Sequence, residues 1–367
     1  MHYIASRFFF VFLTLTILAG YIPCHAYDIN NTLTVNGILA ATYHYQDIND
    51  AGRLGRGAVP LQLEFFYEPD KNDVFAAKFG FAAGNGLNDQ TNFALAPWAA
   101  DLEDDVRDIN GRSRDYLLTA WYKHTFASST GSSLALSGGI IDATDYLDEN
   151  EYANDEFTQF MNRALVNGPN AFLPSYDIGG AFQFNRNDLA LSGVIMNIGE
   201  NDAGNNYNFY GLQFGYTLHT NFGTGNYRIV LGATGREFPD PEGLTTEARK
   251  CLLLSFDQEF GRYYGAWLRM GTQDDAAAIT YKKIYSGGIF ISGFLWGRQN
   301  DNIGIGYAYL TGGNIDLDTS QVLETYIRMG LSDYLAFSMD IQYMNDKYNS
   351  TEKIDGFIYS IRAAAEF

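Results

Sequence analysis

Cysteine is scarce in this chain, with only Cys24 and Cys251 among 367 residues. If Cys24 is lost with the leading segment, no intramolecular disulfide remains possible, and packing and hydrogen bonds must hold the fold. Long hydrophobic runs are also missing. The uncharged stretch from Phe8 to Gly20 falls short of the about 20 apolar residues a helix needs to cross a bilayer, and nothing after it resembles a membrane helix. Basic residues are few, 24 Lys and Arg against 43 Asp and Glu, a net charge of −19. So acidic a chain is unsuited to nucleic acid, which demands clustered Lys and Arg against the phosphates. Of five histidines, only His44, His124 and His219 lie beyond residue 26, and none has the HExxH or other zinc-ligand spacing. A GxSxG elbow and a Walker loop are absent, and Gly304-Ile305-Gly306 has no third glycine at the dinucleotide offset. Neither a metal, a cofactor nor an enzyme activity is expected.

What is present begins with a leader. Arg7, the uncharged run, Pro23 and the small-residue-bounded Cys24-His25-Ala26 read as a secretory signal peptide, residues 1–26, leaving residues 27–367 as one mature domain. A lipoprotein reading through Cys24 is weakened by Ile22-Pro23, a poor lipobox. The composition combines 46% hydrophobic residues with 38 Gly, 26 Tyr, 27 Phe and only 8 Pro. A transmembrane β-barrel has this character, because every second residue faces a polar lumen.

The last twelve residues state the period outright. Phe357, Tyr359, Ile361, Ala363, Ala365 and Phe367 form an apolar face, with Ile358, Ser360, Arg362, Ala364 and Glu366 between them. A period of two is a β-strand. An aromatic carboxy-terminus on such a strand resembles the terminal strand of bacterial outer-membrane barrels, which implies recognition by the barrel assembly machinery. Similar alternation from Leu33 to Gln46, from Pro60 to Glu68, and around Phe79, Ala120, Leu136, Gly180, Leu191, Phe214, Leu231, Leu254, Leu268, Ile289, Ile305, Ile327 and Phe337 gives about sixteen strands.

Connections alternate in length. Glu68 to Asn72, Ser128 to Ser132, Asn185 to Asn187, Glu259 to Arg262 and Ser332 to Tyr334 read as turns. Asp47 to Val59, Gly84 to Asp115, Asp142 to Asp177, Gly235 to Arg249 and Asn345 to Asp355 read as longer polar loops. The expected fold is therefore an all-β transmembrane antiparallel barrel with short periplasmic turns, long outer loops and both termini on the periplasmic side. A soluble β-sandwich or propeller carries no such obligatory alternation of loop lengths. Closure at sixteen strands leaves a water-filled lumen, so the inward residues are the functional candidates. By alternation these are Lys78, Lys123, Arg228, Arg269, Arg328 and Arg362, the carboxylates Glu64, Asp257, Glu324 and Asp340, and the indoles Trp121 and Trp267.

Asp142 to Asp177 is too long for an ordinary hairpin loop. It carries eight carboxylates, among them Asp142, Asp145, Asp155 and Glu156, against the single Arg163. Glu156, Phe157, Phe160, Met161 and Ala164 have helical spacing, which predicts a short helix. The favoured reading folds this loop into the pore as a constriction, its carboxylates facing the inward arginines. The other reading is an acidic cap over the barrel mouth. The run Asp101 to Asp108 does not match an EF-hand and is read as a solvated loop face, bridged to lipopolysaccharide through divalent ions.

Gly139-Ile140-Ile141-Asp142-Ala143-Thr144-Asp145-Tyr146, Tyr152-Ala153-Asn154-Asp155-Glu156-Phe157-Thr158-Gln159-Phe160, Asn167-Gly168-Pro169 and Leu173-Pro174-Ser175-Tyr176-Asp177 resemble the central region of carbohydrate-selective porins of the OprB family. Val35 to Leu39 and Ala94 to Trp98 sit where that family allows them, so the resemblance covers nearly the whole mature chain. It implies a sixteen-stranded channel in the bacterial outer membrane for sugars and other small polar solutes. General or ion-selective diffusion is the alternative function, and a barrel enzyme a more distant one. Oligomeric state is not legible.

Overall fold

The computed structural model describes residues 27–49, 52–88, 90–95, 97, 101–127 and 131–367. The expected signal segment, including Arg7, Cys24 and Ala26, and the indole of Trp98 lie outside the described residues.

Sixteen antiparallel strands close on themselves. They are β1 (Leu33–Ile48), β2 (Gly52–Tyr67), β3 (Asp73–Ala83), β4 (Leu117–Ala127), β5 (Ser132–Ile141), β6 (Asp177–Arg186), β7 (Leu189–Ile198) and β8 (Tyr207–Thr220). The second half is β9 (Gly223–Thr234), β10 (Lys250–Phe260), β11 (Tyr264–Gln273), β12 (Tyr281–Ser292), β13 (Asn302–Gly312), β14 (Leu317–Gly330), β15 (Leu335–Tyr348) and β16 (Ile354–Glu366). Each strand pairs with its neighbour in sequence, and β16 pairs with β1 in the register Ile361↔Tyr43 and Arg362↔Thr42, so no barrel edge is left open. At the seam the Phe367 amide donates to Gly37 at 2.9 Å and the Gly37 amide donates back at 2.6 Å. A short strand, Tyr27–Asn30, continues that edge along β1 beyond the carboxy-terminus.

The period of two sorts the wall as the alternation required. Leu136, Ile195, Phe214, Leu268, Ile341 and Tyr359 point outward and stand exposed, within an apolar belt that runs round the barrel. A belt of this kind is what a closed barrel presents to hydrocarbon. Between them Gln62, Ser255, Arg269, Glu324, Gln342 and Arg362 point inward and are buried. His124 falls on the outer face near the turn end of β4, its Nδ1 2.6 Å from Asp73 and its ring against Phe126.

Two loop expectations change. The polar loop expected over Asp47 to Val59 is mostly strand, because the β1–β2 ladder continues to Ile48↔Gly52. The described residues of Gly84 to Asp115, expected as a longer polar outer loop, turn into the barrel mouth. Leu87, Phe93, Leu95, Leu102 and Val106 of that segment are buried, and its Ala94 amide donates to Asp346 on β15 at 2.6 Å. Apolar side chains every few residues pack this loop on its surroundings: Leu87, Phe93 and Leu95 join the main core, Leu102 meets Ala58 of β2, and Val106 lies with Leu118 of β4.

Candidate functional site

The segment between β5 and β6 crosses the lumen and packs on the far wall. Its start is fixed locally: Asp142 accepts from the Thr144 amide at 2.8 Å and from its hydroxyl at 2.7 Å, capping a single turn at Ala143–Asp145. Asp155 does the same for the Phe157 amide at 2.7 Å. Such side-chain bonds to nearby backbone compete with helix formation, and the helix expected from Glu156 onward does not form there. It is confined to Arg163–Val166, capped by Asn162. The amides of Met161 and Asn162 are taken instead by Glu324 on β14, at 2.6 and 3.0 Å. The helical spacing of Phe157, Phe160 and Met161 marks the side chains this segment buries, not a helix.

Two arginines of the barrel wall hold the loop. Arg269 on β11, wholly buried, donates to the Asp148 carboxylate at 2.9 Å, to the Leu165 carbonyl at 3.1 Å and to the Ala153 carbonyl at 2.6 Å. Arg362 on β16 donates to the carbonyls of Glu156 and Gln159. Guanidinium, with five donors in a fixed plane, suits this pinning of irregular backbone. Phe160 sits edge-on to Trp267 and Tyr326, with ring centroids 5.7 and 5.1 Å apart, and Tyr152 stacks on Phe290 at 5.2 Å.

This arrangement corrects part of the candidate set. Arg269, Arg362, Glu324, Asp340 and Trp267 do point inward but are buried; the first two and Glu324 bond the loop, Trp267 packs against its Phe160, and Asp340 bonds Gln342 on the same strand. The expected pairing of loop carboxylates with inward arginines is confined to Asp148 with Arg269; Arg362 holds main-chain carbonyls instead. Arg228 pairs with Asp257 at 2.5 Å and is nearly buried. Arg328 pairs with Glu366 near the turn end, away from the loop.

What stays open lies on the opposite side. Three cavities follow one another along the loop. The outer one, about 760 Å³, is bounded by Phe93, Asp101 and Asp105 of the β3–β4 loop and by Asp142, Glu156, Arg163 and Tyr176. A middle one of about 370 Å³ shares Thr144 and Asn154 with it and is lined by Asp145, Glu149, Glu151 and Asp155. The inner one, about 390 Å³, shares Asp145 and Glu149 with the middle and reaches the wall of β2, β3 and β4. There the structure brings together four of the inward candidates. Glu64 and Lys78 form an ion pair at 2.7 Å, and Lys123 lies over the Trp121 ring at 5.5 Å.

Sequence reasoning did not place Glu149, Glu151, Gln183 or Tyr146 at this opening. It also read Asp101 to Asp108 as solvent-facing. Asp101 is in fact buried, bonded to Gln62 of the wall and accepting from the Tyr176 hydroxyl at 2.8 Å, and Asp104, Asp105 and Asp108 line the outer cavity. The signal was the pairing of that acidic run with the apolar residues around it. Burial pushes Asp101 up to about 6. Burial, then the charge of Asp155, raises Glu156 to about 8. Enclosure by the barrel, then the charge of Asp142, lifts Asp145 to about 7, although its carboxylate is open to lumen water. Among the described residues no group of His, Cys, Asp and Glu is placed to hold a metal ion.

No family model matches the chain. It is 32% identical over 281 residues to an uncharacterized protein of Aquifex aeolicus, covering 73% of this chain and 77% of that one. It is 24% identical to the porin AaxA of Chlamydia pneumoniae over 77% of this chain and 67% of the relative. Among solved structures, the high-pH form of Pseudomonas putida OprB superposes with a TM-score of 0.71 at 12% identity, covering 92% of this chain and 94% of that one. The fold is thus shared with a porin of known structure far beyond what sequence identity retains. The chain belongs to one family with the Aquifex aeolicus protein, and its barrel is an OprB-like porin fold.

Proposed function

We propose that the protein is an outer-membrane porin through which small polar solutes, carbohydrates among them, diffuse passively between the inserted loop and the β2–β4 wall. In this reading residues 1–26 are removed on export and the apolar belt meets outer-membrane lipid and lipopolysaccharide. The observation that carries it is the run of three adjoining, polar-lined cavities with Trp121 at the innermost one. An indole face suits the CH side of a pyranose, while Glu64, Lys78, Lys123 and Gln183 around it offer donors and acceptors to hydroxyls. Of the arginines first considered for that role, Arg269 and Arg362 hold the loop and Arg228 and Arg328 are paired with Asp257 and Glu366, so solute contact passes to the lysines.

The test is reconstitution of residues 27–367 in liposomes and planar bilayers. Glucose and maltose should enter, raffinose more slowly, and sugars should reduce ion current in a concentration-dependent way that Trp121→Ala weakens. A conducting channel that admits none of these sugars would remove carbohydrate from the reading and leave general diffusion of ions and small solutes. Absence of conductance from folded barrel would remove the porin reading itself.

A further inference from the structure

We infer that the route selects for positive charge, so that protonated amino sugars and other small cations pass more readily than uronic acids and other anions of equal size. This rests on the porin reading above and goes beyond it in naming the charge class. The wall arginines that could have balanced the acidic loop are withdrawn. Arg269 and Arg362 are covered by the loop they hold, and Arg228 is neutralised by Asp257. What remains along the path is one-sided.

Seven carboxylates and two arginines line the outer cavity, and one of those arginines, Arg107, is paired with Glu103 at 3.1 Å. The middle cavity, which shares Asp145 and Glu149 with the cavity at Trp121, is lined by Asp145, Glu149, Glu151 and Asp155 and by no basic residue. Two lysines reach the inner cavity, but Lys78 is tied to Glu64 and faces Asp145 as well. A charged passage with low-dielectric walls concentrates ions of opposite sign. A lumen potential of only about −1 kT enriches a monovalent cation over an anion about sevenfold, and such fields commonly reach several kT.

The experiment uses the reconstituted mature chain. Reversal potentials in a KCl gradient at pH 8 should give a cation-to-anion permeability ratio above about 5. Flux of glucosamine should exceed that of glucose, and glucuronate should lag behind both. The triple variant Asp145→Asn, Glu149→Gln, Glu151→Gln should bring the ratio down at least twofold while the barrel stays folded and conducting, since none of these side chains anchors the loop. A wild-type ratio at or below 1 overturns the inference whatever the variant does, as does a measurable glucuronate flux equal to that of glucosamine. Failure of all three sugars to enter a cation-selective channel would instead count against carbohydrate passage and leave the charge preference standing.

Discussion

Replacing Arg269 should open the pore without unfolding the barrel. The side chain is wholly buried and meets the inserted loop at three points: the Asp148 carboxylate and the carbonyls of Leu165 and Ala153. In Arg269→Ala, Asp148 would be left as a buried, uncompensated charge, and removing one member of such a pair costs about 3–5 kcal/mol. At 1.4 kcal/mol per tenfold, the equilibrium between docked and detached loop shifts by two to nearly four powers of ten. The strand ladders on either side, Arg269↔Ser255 and Arg269↔Ser286, use backbone groups that the substitution leaves in place. Single-channel conductance and open-channel noise should therefore both rise, and the loop between Tyr146 and Pro169 should become cleavable by protease. The barrel should still migrate differently in boiled and unboiled detergent samples. Combining Arg269→Met with Asp148→Leu should restore much of the docking, since an apolar pair removes the buried charge altogether. If Arg269→Ala conducts and resists protease as the parent does, the loop is held by other contacts and the argument fails.

Three further outcomes follow from the same geometry. Because Asp101 and Asp105 titrate near 6, Asp145 near 7 and Glu156 near 8, cation preference should grow as pH rises from 5 to 9; Asp145 faces Lys78 and Glu64 across the lumen with Asp142 and Glu149 on its own segment, and Glu156 faces Asp155, Asp101 and Asp142. The sign for loop docking is opposite, since carboxyls raised above their ordinary range stabilise the docked state in acid and lose that contribution as pH climbs through about 6 to 8; a selectivity that is flat with pH would place these groups off the route. Ile361→Arg, on the outer face, should cost about 2–4 kcal/mol near the bilayer midplane, measured by urea unfolding in lipid. The alternation alone makes Ser360→Arg mild, but Ser360 is buried with its hydroxyl 2.8 Å from His44 Nδ1, so it too should impair folding. Gly139→Ala should destabilise β5 by at least about 1–3 kcal/mol, because Gly139 has φ near 143° and an added Cβ would lie 2.2 Å from the Ala120 carbonyl; unchanged heat-modifiability and unfolding would refute this.

Strand order and face are local properties, and the sequence determined them. Each side chain's face depends on whether its position is odd or even along a strand, which neighbouring residues reveal, so Phe357 to Phe367 could be sorted without any partner in view. The length and acidity of Asp142 to Asp177 likewise announced an unusual connection. Tertiary structure alone decided what the inward face meets. Arg269 and Lys78 are both inward cations in sequence, yet one is sealed against Leu165, 104 residues away, and the other stands at an open cavity. Arg362 reaches the carbonyl of Glu156 across a separation of 206 residues. Contacts to main-chain carbonyls leave no trace in residue type, because every residue offers that acceptor. For the same reason the sequence suggested carboxylate partners for the arginines, whereas closure of the barrel around its own loop chose backbone ones and left most of the acidic side chains facing the route.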